Sequence, residues 1–252
     1  MNSFENLEKE KPKENIYTNG NVECIYGELP DSYIVIVKKT IDSFAPYIDH
    51  KILIQILDFA KHNPGFHMTM NREIRELDGE RDRMSINSDF WDKSKLGDFL
   101  LHELGHTIEC QLDKIANENN IDLFDRSSKR EVPLKDWQIR EIQADLLVAF
   151  VLEPEYFKNN LNSSTLKNTY EVFEKIFEGN NFSELREIFK IENNKYKIEA
   201  EEQYKLGKIN KPAWLEDNYI KEPLYLRAFD QDVADRYLKQ FDQLENKYRK
   251  IK

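Results

Sequence analysis

A helix that must aim His102, Glu103 and His106 at one point constrains this chain more than any other feature of its sequence. The run is His102-Glu103-Leu104-Gly105-His106. On an α-helix, positions i and i+4 share a face about one turn apart, so the two imidazoles can address one metal ion. Glu103 follows the first histidine, where its carboxylate can reach a water in the metal's open position. Two neutral imidazoles suit Zn²⁺, and an open fourth position separates a catalytic zinc from a structural one. From the composition, chance alone supplies roughly 0.02 matches to so short a motif. The bland alternative is a pair of surface histidines on an ordinary helix. Against it, Leu100, Leu104 and Ile108 repeat every four residues and make an apolar stripe, so the motif belongs to a half-buried helix. Ser94 is expected to cap that helix, and the region Asn117 to Asn120 to end it.

A catalytic zinc site needs a third protein ligand. The run Arg140 to Leu152 turns strongly apolar after Asp145 and reads as a second, deeply buried helix. Glu141 and Asp145 are again i and i+4, so two carboxylates share one face of a core helix. Buried carboxylates are costly unless paired or bound to metal. Glu141 is therefore assigned as the third ligand. Asp145 is assigned to accept the free N–H of a ligand histidine and fix its tautomer. The competing reading puts both acids at an exposed first turn, where they favour the helix dipole.

Other residues near the motif could in principle bind a metal. Cys110 shares the face of His106 but lies eight residues from His102, about 12 Å along the axis, and reads as a small core residue. Glu109 could approach the metal, though ligands so close on one helix strain the tetrahedron. Asp230 and Asp232 are weaker, distant rivals. His50, His62 and His67 lack a paired spacing and are read as non-catalytic, with His62-Asn63-Pro64-Gly65 a helix end and turn.

Together, His102 to His106 and Glu141 to Pro154 resemble the ImmA/IrrE family of zinc metallopeptidases. Glu141, Ala144, Asp145, Leu152 and Pro154 match the family's second helix, and Ala149 fits a second small position. Val148 and Glu153 stand where the family usually has alanine and methionine. The resemblance covers residues 65 to 157 and extends more broadly to zincins with a glutamate ligand. The long separation of His106 from Glu141 implies an inserted loop around Asn117 to Val132. Toxin-like HELGH zinc proteases are a rival family. The resemblance implies an intracellular endopeptidase, in characterised relatives one that cuts a helix-turn-helix repressor.

The rest of the chain sets bounds. Its 252 residues carry a net charge of −10 with a pI near 5.2, so nucleic acid is not expected as the main ligand. A protein or peptide substrate is expected instead, and an acidic surface would attract a basic one. Only two cysteines, Cys24 and Cys110, argue against a disulfide framework. The N-terminus has no apolar signal core and no run approaches a membrane span. The expectation is a cytoplasmic protein without a membrane segment; leaderless export stays open.

The expected fold class is α+β: a zincin-like core over residues 21–160 with a small mixed sheet and the HExxH helix, then a largely helical region over 161–252. Residues 1–20 are charged and expected to form a disordered tail. Helices are expected near 31–44, with Asp31 as cap and Ile34, Val37, Ile41 and Phe44 inward, and near 48–62. The β-branched run Ile34 to Val37 could instead be strand. Phe66 to Met70 and Arg83 to Asn87 read as strands, with a polar hairpin at Leu77 to Glu80. By resemblance to zincins, the second strand is the edge on which an extended substrate would lie. Ser163 or Ser164 is expected to cap a helix toward Gly179, and Ser183 another. A last helix turns Val233, Tyr237, Phe241 and Leu244 inward, and Pro212 and Pro223 bracket a loop holding Trp214. The C-terminal region either packs on the core or forms a separate binding domain.

Zinc held by His102, His106 and Glu141, with Glu103 as general base, is the expected machinery. Tyr156, Tyr170 and Tyr225 are the candidate oxyanion donors, with no basis to choose among them. Two other functions fit the same residues: a catalytically silent zinc-binding sensor or interaction protein, and a hydrolase of a non-protein amide.

Overall fold

The first strand, β1 (Asn15–Asn19), lies inside the stretch expected to be a tail. It is invisible to an apolar-pattern reading because burial does not hold it: Ile16 is 66% exposed. Backbone pairing does, to antiparallel β2 (Val22–Tyr26) across a two-residue turn where Gly20 takes a φ of +55°. The Tyr17 hydroxyl and the Asn19 amide then donate to the Asp42 carboxylate at 2.5 and 2.7 Å. Asp42 belongs to α1 (Asp31–Phe44), so polar bonds tie the strand to the helix behind it.

The computed structural model describes residues 15–57, 81–87, 95–123, 136–178, 180–216 and 220–239. Helix α1 has the expected limits, and the strand alternative at Ile34 to Val37 is excluded. Pro30 rather than Asp31 is its N-cap, and Tyr33, Ile36, Val37, Ile41 and Phe44 form its buried face, with Ile34 at the margin. A 3-10 turn (Ala45–Tyr47) follows.

The helix expected near 48–62 is instead a strand over its first part, β3 (Lys51–Leu57). Its sequence, Lys-Ile-Leu-Ile-Gln-Ile-Leu, is apolar on both faces, and Ile52, Leu53, Ile54 and Ile56 are all buried. Such a continuous run suits an interior parallel strand covered on both sides, and short apolar runs do not reveal their period. β3 lies parallel between β2 and β4 (Arg81–Asn87), giving the sheet order β1-β2-β3-β4 with mixed pairing. The strand expected over Arg83 to Asn87 is thus present, at the rim of the described sheet. The expected turn at Pro64–Gly65, the strand over Phe66 to Met70 and the hairpin at Leu77 to Glu80 lie outside the described residues.

The motif helix is α2 (Leu96–Thr107), with Lys95 at its N-cap position; Ser94 lies outside the described residues. Leu100, Leu104 and Ile108 are fully buried, as the stripe predicts. The helix does not continue unbroken to Asn117: it stops at Ile108 and restarts as α3 (Glu109–Glu118). α4 (Asp136–Leu152) packs directly on α2. Then come α5 (Pro154–Asn159), α6 (Ser164–Ile176) and α7 (Ser183–Lys205). Ser163 caps α6, its hydroxyl accepting the Leu166 amide at 3.2 Å. Ser183 does not cap α7. Phe182, left-handed at φ +51°, occupies that position, with the Asn180 and Asn181 side chains accepting the Phe182 and Ser183 amides. Two 3-10 turns (Ala213–Leu215 and Leu224–Ala228) and a helix α8 over 231–239 complete the described chain. The Trp214 indole donates to Glu201 at 3.2 Å. Val233 and Tyr237 are buried as expected; Phe241 and Leu244 lie outside the described residues.

The architecture is α+β with a helical majority. One core cluster runs from Val22 on the sheet through α2 and α4 to Phe173, Phe189 and Tyr225, so the later helices share the core of the earlier ones. A satellite cluster of Phe99, Ile220, Leu224, Val233 and Tyr237 packs the last segment against α2. No helix among the described residues is long and apolar enough to cross a membrane.

Candidate metal centre

Gly105 sets the distance between the two helices that carry the candidate ligands. A Cβ there would stand 2.8 Å from the Ala144 Cα and 3.1 Å from its Cβ. Only a glycine lets α2 and α4 touch so closely, and Ala144 lies between Glu141 and Asp145 on the facing helix. The contact therefore lays the two carboxylates against the two histidines.

His102, His106 and Glu141 come together as the spacing argument required. The two Nε2 atoms are 3.3 Å apart; Glu141 brings one carboxylate oxygen to 3.3 Å from His102 Nε2 and the other to 3.5 Å from His106 Nε2. Ligands about 2.05 Å from a tetrahedral zinc stand about 3.4 Å from one another. The two nitrogens stand at that spacing, and two imidazoles with a carboxylate beside them are a donor set that suits zinc.

Both histidines turn Nε2 inward because a carboxylate holds each Nδ1. His102 Nδ1 donates to Asp145 at 2.8 Å, the role assigned to that residue. His106 Nδ1 donates to Glu109 at 2.6 Å. Glu109 thus partners the Nδ1 of His106 and is not in the converging group, and its i+3 spacing from His106 was the available signal. Each carboxylate is in turn met by an arginine. Arg227 forks onto Asp145 at 2.6 and 2.9 Å, while Arg140 lies 3.7 Å from Glu109 and grips Asp113 at 2.7 Å. Nothing in the sequence points to Arg227, which is 82 positions from its partner.

The fourth acid is Glu103. Its Oε2 is buried and meets no hydrogen-bond partner among the described residues. Burial raises its affinity for a proton, the charges of His102 and His106 only partly opposing this. An unpaired buried carboxylate oxygen is expensive, and its place beside His102, His106 and Glu141 suits a group that would face a metal's water. Glu141 behaves oppositely. Its partial burial favours the protonated form, yet the hydrogen bond from His102 and the nearby histidine charges bring its carboxyl down to about 2. The Glu141 side chain is 44% exposed against 6% and 7% for the histidines, so the cluster opens to solvent on that side.

The remaining sequence candidates are elsewhere. Asp230 caps α8, accepting the Asp232 and Val233 amides at 2.9 and 3.2 Å. His50 pairs with its neighbour Asp49 at 2.9 Å, while His62, His67 and the Cys110 side chain lie outside what the structure describes. Of the tyrosines, Tyr170 packs edge-on against Phe150 and Phe157, and Tyr156 edge-on against Phe229. Burial and the neighbouring Glu153, Tyr156 and Asp98 push Tyr225 up to about 12. The named neighbours of all three are thus other than the ligands, and the oxyanion donor is unassigned.

Comparison of the chain with family models, with curated proteins and with solved structures finds no match.

Proposed function

We propose that this chain is a zinc-dependent endopeptidase with a zincin-like core, resembling the ImmA/IrrE metallopeptidases, with His102, His106 and Glu141 as metal ligands. One observation carries the reading: the Nε2 atoms of His102 and His106 stand 3.3 Å apart with a Glu141 carboxylate oxygen within 3.5 Å of each, beside a buried Glu103 oxygen that has no hydrogen-bond partner among the described residues. Bound there, zinc would supply a Lewis acid that polarises a carbonyl and acidifies a water. Asp145 and Glu109 hold the imidazoles by Nδ1 and keep their Nε2 lone pairs inward. Glu103 takes the proton of the attacking water and returns it to the leaving amine, a task suited to a carboxyl whose proton affinity burial has raised.

A peptide substrate fits the surroundings. Glu141 opens the cluster to solvent, and β4, beside α2, has β3 as its only strand partner among the described residues. An extended segment can add to such an edge through main-chain bonds. A regulatory protein such as a repressor is the substrate class that the resemblance suggests, and a cytoplasmic site of action goes with it. The test is a census of new protein N-termini after incubating a cell extract with the zinc-loaded chain. Termini that appear with the loaded protein and disappear when a chelator is added are expected; identical censuses would overturn the reading.

Metal binding should also carry a proton signature. In the metal-free protein burial pulls His102 down, but Asp145 and Glu141 outweigh it and hold it at about 9. Ligation requires the neutral imidazole, so below that value binding expels a proton. Affinity should therefore rise with pH and level off above about 9. Calorimetric titration with Zn²⁺ near neutral pH, in buffers of different ionisation enthalpy, should report close to one proton released. No release would mean that His102 is not a ligand.

A further inference from the structure

We propose that Arg227 is a positioning residue of the metal centre, acting on His102 through Asp145, so that the segment 220–237 is part of the site. The inference rests on the metal-binding reading above. Arg227 stands on the 3-10 turn Leu224–Ala228, well beyond both ligand helices in the chain. Its Nε donates to Asp145 Oδ2 at 2.9 Å and its Nη2 to Oδ1 at 2.6 Å. The same Oδ1 accepts from His102 Nδ1 at 2.8 Å, and Nη2 lies 3.5 Å from that nitrogen. With the side chains of Arg227 and Asp145 only 13% and 4% exposed, little water competes for these bonds.

Two consequences follow from that geometry. A carboxylate with both oxygens claimed by one planar fork cannot rotate, so the plane of the His102 ring, and the direction of its Nε2, is fixed. The guanidinium also neutralises Asp145, whose charge would otherwise be buried near those of Glu103 and Glu141.

The segment that presents Arg227 is itself locked to the start of the motif helix. Lys95, buried at the N-cap of α2, donates to the carbonyls of Ile220 and Glu222 at 2.7 and 3.0 Å and to the Tyr237 hydroxyl. That hydroxyl donates onward to the Glu222 carbonyl at 2.6 Å, and the Arg227 guanidinium lies 5.6 Å from the centre of the Tyr237 ring. The segment thus starts from α2 at Lys95 and reaches α4 at Asp145, bracing the two ligand helices. On the other side, the carboxylate and arginine behind His106 come from α3 and α4 themselves.

A residue that only anchored the segment would leave the metal indifferent to it. The experiment is a double-mutant cycle on the full chain, reading Zn²⁺ and Co²⁺ affinity by chelator competition together with the visible spectrum of the Co²⁺ form. Arg227→Gln should weaken binding about 10- to 100-fold, as loss of such outer partners does, and alter the Co²⁺ bands. In an Asp145→Ala background the same change should cost less than about twofold, because the path to His102 is already cut. Arg227→Lys keeps the charge but loses the fork, and should fall between wild type and Arg227→Gln; it carries the test if the glutamine variant does not fold. Losses that multiply across the cycle, or wild-type affinity in either arginine variant, would overturn the proposal. A wild-type chain that binds neither ion would overturn the metal-binding reading itself.

Discussion

Glu103→Gln is expected to leave the metal bound and remove hydrolysis. Glutamine has nearly the same volume and shape but cannot take a proton from water. The loss of general-base catalysis is typically about 10²- to 10⁴-fold, and at least that is expected in the rate of cleavage of a substrate found by the N-terminus census. Because Glu103 is not among the converging ligands, zinc content by elemental analysis should match wild type. The substitution also removes a carboxylate whose Oε2 is buried without a hydrogen-bond partner among the described residues, so the melting temperature of the metal-free protein should stay level or rise. Normal cleavage with normal zinc would remove Glu103 from the mechanism.

Gly105→Ala is expected to cost both stability and metal. In an exposed helix the change would stabilise by about 1 kcal/mol. Here the added Cβ falls 2.8 Å from the Ala144 Cα, a backbone atom that cannot step aside. The helices α2 and α4 must part, and overpacking of this kind costs about 1–3 kcal/mol. The same separation draws Glu141 away from His102 and His106, now 3.3 and 3.5 Å from its oxygens. Zinc affinity should therefore fall by about tenfold or more, the scale of disturbed metal sites. Thermal unfolding and chelator competition read the two effects separately. Adding Ala144→Gly, which removes the 3.1 Å contact but not the 2.8 Å one, should restore part of each. A Gly105→Ala protein that melts higher and binds zinc normally would contradict this account of the helix contact.

The site was more legible than the fold around it, for a physical reason. His102, His106, Glu141 and Asp145 announce themselves by i, i+4 spacing, a local property of helices that a linear sequence preserves. The placement of Asp145 behind His102 followed from the cost of burying a carboxylate. Strand β3 was missed because an interior parallel strand has no polar face, so its seven residues carry no period to read. Strand β1 was missed for the opposite reason, since its support is the β2 backbone and Asp42 rather than apolar burial. Gly105 stood in the motif from the start, but its purpose appears only when Ala144 is set against it. Arg227 had no local signal at all: its role depends on how the last segment returns over α2, which no spacing encodes.

The central claim, that His102, His106 and Glu141 hold a zinc ion with an open position, is tested most directly at the metal. X-ray absorption at the zinc edge of the loaded, full-length protein should show a four-coordinate ion with nitrogen and oxygen neighbours at about 2.0–2.1 Å and two imidazole signatures. A Glu141→Gln variant should lose most of that zinc. Sulfur neighbours at about 2.3 Å, or a purified chain that takes up no zinc, would contradict the account.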